Sequence, residues 1–319
     1  MNASPLAAAW LTASTWWLDV ALGALFLRMI GDLTGGRWAA FADDALRNCA
    51  ALLLPATIAF APLLAGVEAL SSAAAGTSVP ATWAQPGFIV VRTVAVFAIW
   101  LLLARAMGAW HDARERRPRV ATAGLLLFVP AVTVFHVDWS MLPEAPWYSP
   151  AAGVVAIAGQ AASGLALALI LLWFRHGEDA AGRAERRDLG NLLLVAVLSW
   201  AYLAFMEYLI VWIGDLPHET LWYRRRSDTA GVAAALVTLK LVLPFLMLMS
   251  RPVRRSGLLL ALAAASVLAG HGCEVWWRHR GSVDGEFGLD ALALIAVTGA
   301  CIAFMAWRSG PGPVQGRAS

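Results

Sequence analysis

Nine stretches, each with about 20 mostly apolar residues, constrain the fold of this sequence more than any other feature. They lie near residues 9–30, 47–68, 87–107, 120–138, 151–174, 190–213, 230–250, 256–277 and 288–307. An α-helix of about 20 residues crosses the hydrocarbon core of a bilayer. Lipid offers no hydrogen bonds, so each run must satisfy its own backbone amides, as a helix does. The runs therefore predict an all-α integral membrane protein with about nine transmembrane helices.

The overall composition supports this prediction. The chain is 60% hydrophobic and 14% charged, whereas a soluble domain has about a quarter charged residues. The net charge of +3 comes almost wholly from arginine, because Lys240 is the only lysine. These arginines stand in short loops between apolar runs, which indicates membrane orientation rather than nucleic-acid binding. The expected partner is therefore the lipid bilayer and not nucleic acid.

The chain is predicted to form a single transmembrane domain over residues 1–308. The segments between the runs are too short for a folded domain outside the membrane, and residues 309–319 are predicted to be a disordered Gly/Pro-rich tail. The first ten residues contain no basic residue, unlike a secretory signal, so we expect the first span to be retained. Cys49, Cys273 and Cys301 are isolated, which predicts no haem, iron–sulfur cluster or metal bound by this chain.

The placement of basic residues predicts the orientation. The loops after the third, fifth and seventh runs hold arginines, namely Arg105, Arg114, Arg116, Arg117, Arg119, Arg175, Arg183, Arg186, Arg187, Arg251, Arg254 and Arg255. With Arg28, Arg37, Arg47, Arg308 and Arg317, this side has 17 basic residues. The opposite side has 5, namely Arg224, Arg225, Arg226, Arg278 and Arg280. The positive-inside rule predicts a bacterial-type inner membrane protein with its N-terminus outside and its C-terminus in the cytoplasm.

Ionisable residues inside the runs gather towards the outer half of the membrane. Each costs about 2.5–3.5 kcal/mol at a helix centre, so each needs a partner or a cavity. The set comprises Asp19, Glu68, Arg92, His136, Asp138, Glu207, Lys240, His271 and Glu274. His271 and Glu274 are one turn apart on one helix face, and a histidine beside a carboxylate can pass protons near neutral pH.

Structural explanations compete with functional ones for most of these residues. Arg92 can pair with Asp138, and Glu207 can form with Lys240 a buried ion pair that fixes the register of consecutive helices. Glu68 lies near the headgroups, where a carboxylate is solvated. Trp139 and the other outer aromatic residues can form the usual interfacial belt. Asp19 and Gln160 are weaker functional candidates.

A site of histidine, carboxylates, arginine and aromatic residues that opens to one face suits quinol, whose oxidation releases two protons. The predicted proton acceptors are Asp138, His271, Glu274 and Glu207. The predicted quinone contacts are Arg92, His136, Lys240 and Trp139. Two alternatives remain open. The chain can be a structural or proton-conducting anchor that binds no quinone, or a small-solute transporter, for which Pro244 inside the seventh run is the main sign.

The stretch Asp138-Trp-Ser-Met-Leu-Pro-Glu144-Ala-Pro-Trp147-Tyr-Ser149 resembles the pattern Asp-Trp-x-Met-Ser-Leu-Glu-Pro-His-Trp-Phe-Ser. That pattern belongs to the second quinone-binding membrane subunit of alternative complex III, the quinol:cytochrome c oxidoreductase, which is related to the membrane subunit of polysulfide reductase. Further matches follow in the same order: Leu33-Thr-Gly-Gly-Arg-Trp38, Phe88-Ile-Val-Val-Arg92, Phe97-Ala-Ile-Trp100, Asp188-Leu-Gly-Asn-Leu-Leu, Trp200-Ala-Tyr-Leu-Ala-Phe205, Leu216-Pro-His-Glu219, Trp222-Tyr-Arg224, Leu243-Pro-Phe-Leu-Met-Leu-Met-Ser-Arg251 and His271-Gly-Cys-Glu274-Val-Trp-Trp277.

This resemblance covers roughly residues 17–308 and implies two adjacent four-helix bundles, about 9–138 and 151–277, plus a peripheral helix at 288–307. It also implies cytochrome c and iron–sulfur subunits that take the electrons, and a homologous membrane subunit as a further partner. The sequence departs from the family pattern at Pro146, where histidine is usual, and at Ala145, where proline is usual. Glu207 replaces a usual glutamine and Lys240 a favoured histidine. We expect no counterpart of the family's additional N-terminal helix.

Overall fold

The computed structural model describes residues 5–75, 77, 79–109, 117–145, 147–179, 182–280 and 287–309. These residues are almost entirely helical and contain no strand. Nine helices in this part of the chain are long and apolar enough to cross a membrane, which confirms the predicted all-α membrane fold. Pro146 and residues 310–319 of the expected tail lie outside the described residues, whereas Ser309 is the last residue of a helix.

We number the nine spanning helices in chain order. They are α1 (Pro5–Thr34), α2 (Arg37–Ala74), α3 (Pro86–Gly108), α4 (Pro118–Glu144), α5 (Ala152–His176), α6 (Arg183–Gly214), α7 (Ser227–Met249), α8 (Gly257–His279) and α9 (Gly288–Arg308). Short helices at Pro217–Arg224 and Arg251–Arg255 connect α6 to α7 and α7 to α8. We call the end at which α1 begins and α8 ends the outer end.

Several helices extend past the apolar runs that predicted them. The run at 47–68 lies within α2, whose first segment, Arg37–Ala51, is amphipathic and carries Asp43, Asp44 and Arg47. The run at 190–213 similarly lies within α6, whose first turns are charged. An apolar run marks only the part of a helix that lipid surrounds, while backbone hydrogen bonding continues beyond it.

Two helices contain a π-helical turn, and both turns carry ionisable residues. In α4 the π-turn covers Val137–Met141, and in α7 it covers Thr238–Val242. Pro244 follows the second turn, and its ring leaves no backbone N–H for a regular hydrogen bond. A proline inside a helix distorts it, and the π-turn is the irregularity found beside Pro244. Such turns insert an extra residue and redirect the side chains near it.

The helix contacts fall into two groups, α1–α4 and α5–α8, which meet mainly along α1 and α5. These two helices are also the most buried of the nine. Small residues permit their close approach, since Gly23 lies against the backbone carbonyl of Gln160, and Gly164 lies against Gly23. The last helix, α9, packs against α1 and α2. Side chains on α1 and α5 therefore occupy the centre of the molecule.

Candidate functional site

Four ionisable side chains from α1, α7 and α8 meet at the centre of the molecule, and we call Asp19, Lys240, His271 and Glu274 the buried network. Lys240 Nζ donates a hydrogen bond to Glu274 Oε2, and the same oxygen lies 3.0 Å from His271 Nδ1. His271 Nε2 lies 3.3 Å from Asp19 Oδ2. The four residues are between 0% and 6% exposed. His271 therefore stands between carboxylates from two different helices.

Further polar side chains surround the buried network. Glu274 Oε1 accepts hydrogen bonds from Arg278 Nη2 at 2.8 Å and from Trp200 Nε1 at 3.0 Å. On the other side, Gln160 Nε2 donates to Asp19 Oδ1 at 2.8 Å. With a neutral His271, two carboxylates balance Lys240 and Arg278, so the group has no formal net charge. This balance explains how so many charged groups can lie inside a helical core.

Local features of α7 and α8 bring Lys240 to this position. The π-turn of α7 contains Lys240, and Gly270 of α8 lies directly against its backbone. A Cβ atom on Gly270 would lie 2.6 Å from the Lys240 backbone nitrogen. Gly159 of α5 likewise leaves space beside Lys240 Nζ. The spacing of His271 and Glu274 places both on one face of α8. The predicted His271–Glu274 pair is thus confirmed.

The structure corrects the predicted partner of Lys240. Lys240 pairs with Glu274, whereas Glu207 accepts a hydrogen bond from the Ser149 hydroxyl, so a Glu207–Lys240 ion pair is wrong. Trp200 is the α6 residue at the level of Lys240, with its ring centroid 4.2 Å from Nζ. Glu207 comes seven residues later, which places it about 10 Å further along the helix. Helix register therefore separates the two charges.

Arg92 and Asp138 form a second, separate cluster in the first helix group. Arg92 contacts both carboxylate oxygens, with Nε 2.9 Å from Oδ2 and Nη2 2.7 Å from Oδ1. Trp83 Nε1 also donates to Oδ1 at 3.1 Å, and the Trp83 ring stacks on the guanidinium. Asp138 is 1% exposed. Because both of its oxygens are already bonded, this geometry favours the structural alternative, a clamp between α3 and α4.

The other predicted quinone contacts lie on α4. Trp139 Nε1 donates to the Thr93 hydroxyl at 3.0 Å, and the Trp139 ring packs edge-on against Phe60. Trp139 is therefore part of the core of the first helix group. His136 points elsewhere, since its Nδ1 lies 3.1 Å from the Ser140 hydroxyl. Glu68 is exposed, as its expected position near the headgroups requires.

The importance of Arg226 was not predicted, since in the sequence it is one of the five basic residues assigned to the outer side. Arg226 is 2% exposed and its Nη2 lies 2.9 Å from Glu144 Oε1. Its guanidinium also donates to the backbone carbonyls of Trp222, Trp277 and Arg278 and stacks on the Trp222 ring. Burial lowers the pKa of Arg226, and the nearby Glu144 carboxylate opposes this shift. Arg226 thus fastens the outer loops to the end of α8.

Several buried polar atoms around the network have no hydrogen-bond partner within the described residues. Those beside the network include His136 Nε2, Gln160 Oε1, Arg278 Nη1 and Trp16 Nε1, and in the network itself Asp19 Oδ2 and His271 Nε2 also have none. Trp16 packs beside Gly272 of α8, and His136 interacts electrostatically with Asp19. Buried polar atoms are normally bonded, so these atoms need a partner from outside the described residues, such as water or a small polar molecule.

A cleft of about 560 Å³ lies at the opposite, inner end of the first helix group. Its lining includes Arg28, Asp43 and Trp38, and Arg28 Nε lies 3.2 Å from Asp43 Oδ1. No member of the buried network lines this cleft. The cleft is therefore a feature separate from the candidate site.

Comparison with protein-family models matches none of them, and comparison with curated proteins also finds no match. The geometry of the buried network and the sequence motifs thus carry the functional argument.

Proposed function

We propose that this chain is the membrane subunit of a quinol-oxidising respiratory complex, in which the buried network handles the protons that quinol releases. The observation that carries the proposal is the position of His271 between Asp19 and Glu274. Nε2 faces the Asp19 carboxylate, and Nδ1 lies 3.0 Å from Glu274 Oε2 and 2.9 Å from Lys240 Nζ. The ring therefore has a proton acceptor on either side. Proton handling is the part of quinol chemistry that protein side chains must supply.

The unpartnered atoms beside the network supply the hydrogen bonds that a quinol head group needs. Arg278 Nη1 is a donor, and the imidazole of His136 can donate or accept through Nε2. In this proposal these two residues would hold the quinol hydroxyls, and the ion pair with Lys240 would hold the Glu274 carboxylate in place. The chain would pass no electrons itself. The resemblance supports cytochrome c and iron–sulfur subunits as the electron acceptors and a homologous membrane subunit as a further partner.

The proposed location is the inner membrane of a bacterial-type cell, with the N-terminus outside. Five arginines opposed this orientation, but the structure gives two of them internal partners. Arg226 pairs with Glu144, and Arg278 pairs with Glu274. A buried, paired arginine contributes little to the charge bias that orients a loop. The internal pairing of Arg226 and Arg278 therefore supports an orientation in which this end of the helices faces the outside.

The proposal is tested by the binding of a tight-binding quinol analogue to the purified protein in detergent. We expect saturable binding that His271→Gln weakens about tenfold or more, because the substitution removes a titratable ring from the site. His218→Gln is the matched control, since His218 is exposed in the short helix after α6. Absence of binding, or equal affinity in the His271 and His218 variants, would overturn the proposal.

A second candidate function is that of a structural or proton-conducting anchor that binds no quinone, and the partners of Glu274 and Asp138 favour it. Both oxygens of Glu274 and both oxygens of Asp138 already have partners within the protein. Purification from native membranes separates the two candidates. An anchor would bring redox subunits with it but retain no quinone and bind no analogue.

A further inference from the structure

Two histidines from different helix groups share one serine hydroxyl near the outer end of the molecule. His136 Nδ1 lies 3.1 Å from Ser140 Oγ, and Ser140 Oγ lies 3.4 Å from His279 Nε2. His136 and Ser140 belong to α4, whereas His279 lies at the outer end of α8. The π-turn at Val137–Met141 contains Ser140, so this irregular turn sets where the hydroxyl points. The three side chains thus form a bridge between the two helix groups.

The second nitrogen of each ring is buried and has no hydrogen-bond partner within the described residues. These atoms are His136 Nε2 at the inward end of the bridge and His279 Nδ1 at the other. The charged and titratable groups that interact electrostatically with His136 are Asp19 on α1 and His271, Glu274 and Arg278 on α8. Those that interact electrostatically with His279 are Arg278, His136, Asp19 and Arg226. The bridge therefore begins beside the buried network and ends at the terminus of α8.

We propose that His136, Ser140 and His279 form a proton relay that carries protons from the buried network to the outer end of α8. The inference rests on the proposed function for the source of the protons, but the relay is defined by this chain alone. A serine hydroxyl suits the central position because it can donate one hydrogen bond and accept another.

The transfer conserves protons at each step. A proton binds to His136 Nε2, and the proton on His136 Nδ1 moves to Ser140 Oγ. The original hydroxyl proton moves to His279 Nε2, and the proton on His279 Nδ1 leaves towards the outer surface. One proton enters and one leaves. Both imidazoles end in the opposite tautomer, and rotation of the hydroxyl with ring-proton exchange restores the starting state.

The test is ¹⁵N-histidine NMR of the full chain in lipid nanodiscs, without quinol or partner subunits. We expect Ser140→Ala to change the tautomer signals of both His136 and His279 and to slow proton exchange at His136, by about a hundredfold if the hydroxyl is the transfer group. Ser140→Thr keeps a hydroxyl and should restore both signals. Ser14→Ala is the matched control, because Ser14 is a fully buried serine whose hydroxyl donates to the Ala59 backbone carbonyl.

The outcomes separate the relay from the proposed function. Unchanged tautomers and exchange in Ser140→Ala would overturn the relay, whatever the quinol analogue does. The proposed function is tested separately by analogue binding in His271→Gln, because the relay measurement is made without quinol. If Ser140→Ala disrupts the fold, a failure of Ser140→Thr to exchange protons like the unsubstituted protein would still contradict the proposal.

Discussion

At the scale of single residues, the central feature is a lysine that is 0% exposed within a membrane-embedded core. Lys240 lies against Glu274, and Arg278 bonds to the other oxygen of the same carboxylate. Removing one member of a buried ion pair leaves an uncompensated charge, which is more costly than losing the attraction alone. The same carboxylate thus serves stability and the proposed proton chemistry.

We expect Glu274→Gln to destabilise the protein by about 3–5 kcal/mol, because Lys240 and Arg278 would lose their counter-charge. Reversible unfolding of the protein in mixed micelles measures this change. The double variant Lys240→Met with Glu274→Gln should recover part of the loss. Glu68→Gln is the control, since Glu68 is exposed. If Glu274→Gln unfolds with the same free energy as Glu68→Gln, the ion pair does not have this role.

Contacts within one helix, or between residues at the same end of neighbouring helices, could be predicted from the sequence. Contacts that depend on the exact register of the helices could not. The His271–Glu274 pair follows from its spacing within α8. The Arg92–Asp138 pair was recognised because both residues lie near the same end of neighbouring spans. Lys240 had two possible carboxylates, and only the register of α6, α7 and α8 decides between them. Arg226 stood out in the sequence as a basic residue in a loop where the positive-inside rule disfavours one, but its internal partner Glu144 could not be predicted.

At the scale of helices, the apolar runs predicted the number and approximate position of the spans but not the π-turns. A π-turn adds one residue to a turn, and this change is invisible in a run that is apolar on all sides. Ser140 and Lys240 nevertheless owe their directions to these turns. The contact of Gly270 with the backbone of Lys240 shows how tightly α8 fits against the second turn.

We expect Gly270→Ala to destabilise the protein by about 1–3 kcal/mol, because the new methyl group would force α7 and α8 apart. Its Cβ would meet the backbone nitrogen of Lys240 at 2.6 Å. Gly299→Ala in α9 is the control, since a Cβ there has no neighbour within 4 Å. The comparison uses the same micelle unfolding measurement. Equal stability of the two variants would show that the close approach is not required.

The start of α8 is held by the carboxylate of Glu178, which lies in the loop between α5 and α6. Glu178 accepts hydrogen bonds from the backbone amides of Gly257 at 3.1 Å and Leu258 at 2.8 Å and from the Ser256 hydroxyl at 2.9 Å. These bonds favour the ionised form, so they lower the pKa of Glu178. Its contribution to stability is therefore present above the unfolded pKa, about 4.3, and is lost as the pH falls through the lower folded value.

Hydrogen exchange at the amides of Gly257 and Leu258 measures this pH dependence after correction for the intrinsic rates. We expect their protection to be constant near neutral pH and to fall in acid, below the usual range of a glutamate. Glu178→Gln should lower the protection at neutral pH and remove the acid step. Glu185→Gln is the control, because the Glu185 carboxylate lies 3.8 Å from Arg37 Nε, away from the start of α8. An acid step that persists in Glu178→Gln would contradict the assignment.

At the scale of the whole molecule, the buried polar groups are divided by an apolar layer. The buried network and the His136–Ser140–His279 bridge lie towards the outer end, whereas the cleft beside Arg28 lies at the inner end. Between Asp19 and Arg28, α1 contributes fully buried apolar residues, including Leu22 and Leu25. Protons handled by the network should therefore exchange with the outer side.

The proposed function requires that quinol binding changes the protonation of the buried network. Infrared difference spectroscopy of the purified protein, recorded on adding a quinol analogue, measures this change. We expect a carboxyl band that is absent in Asp19→Asn and Glu274→Gln and retained in Glu178→Gln. Analogue binding without any carboxyl band, or a band that survives both network substitutions, would contradict it.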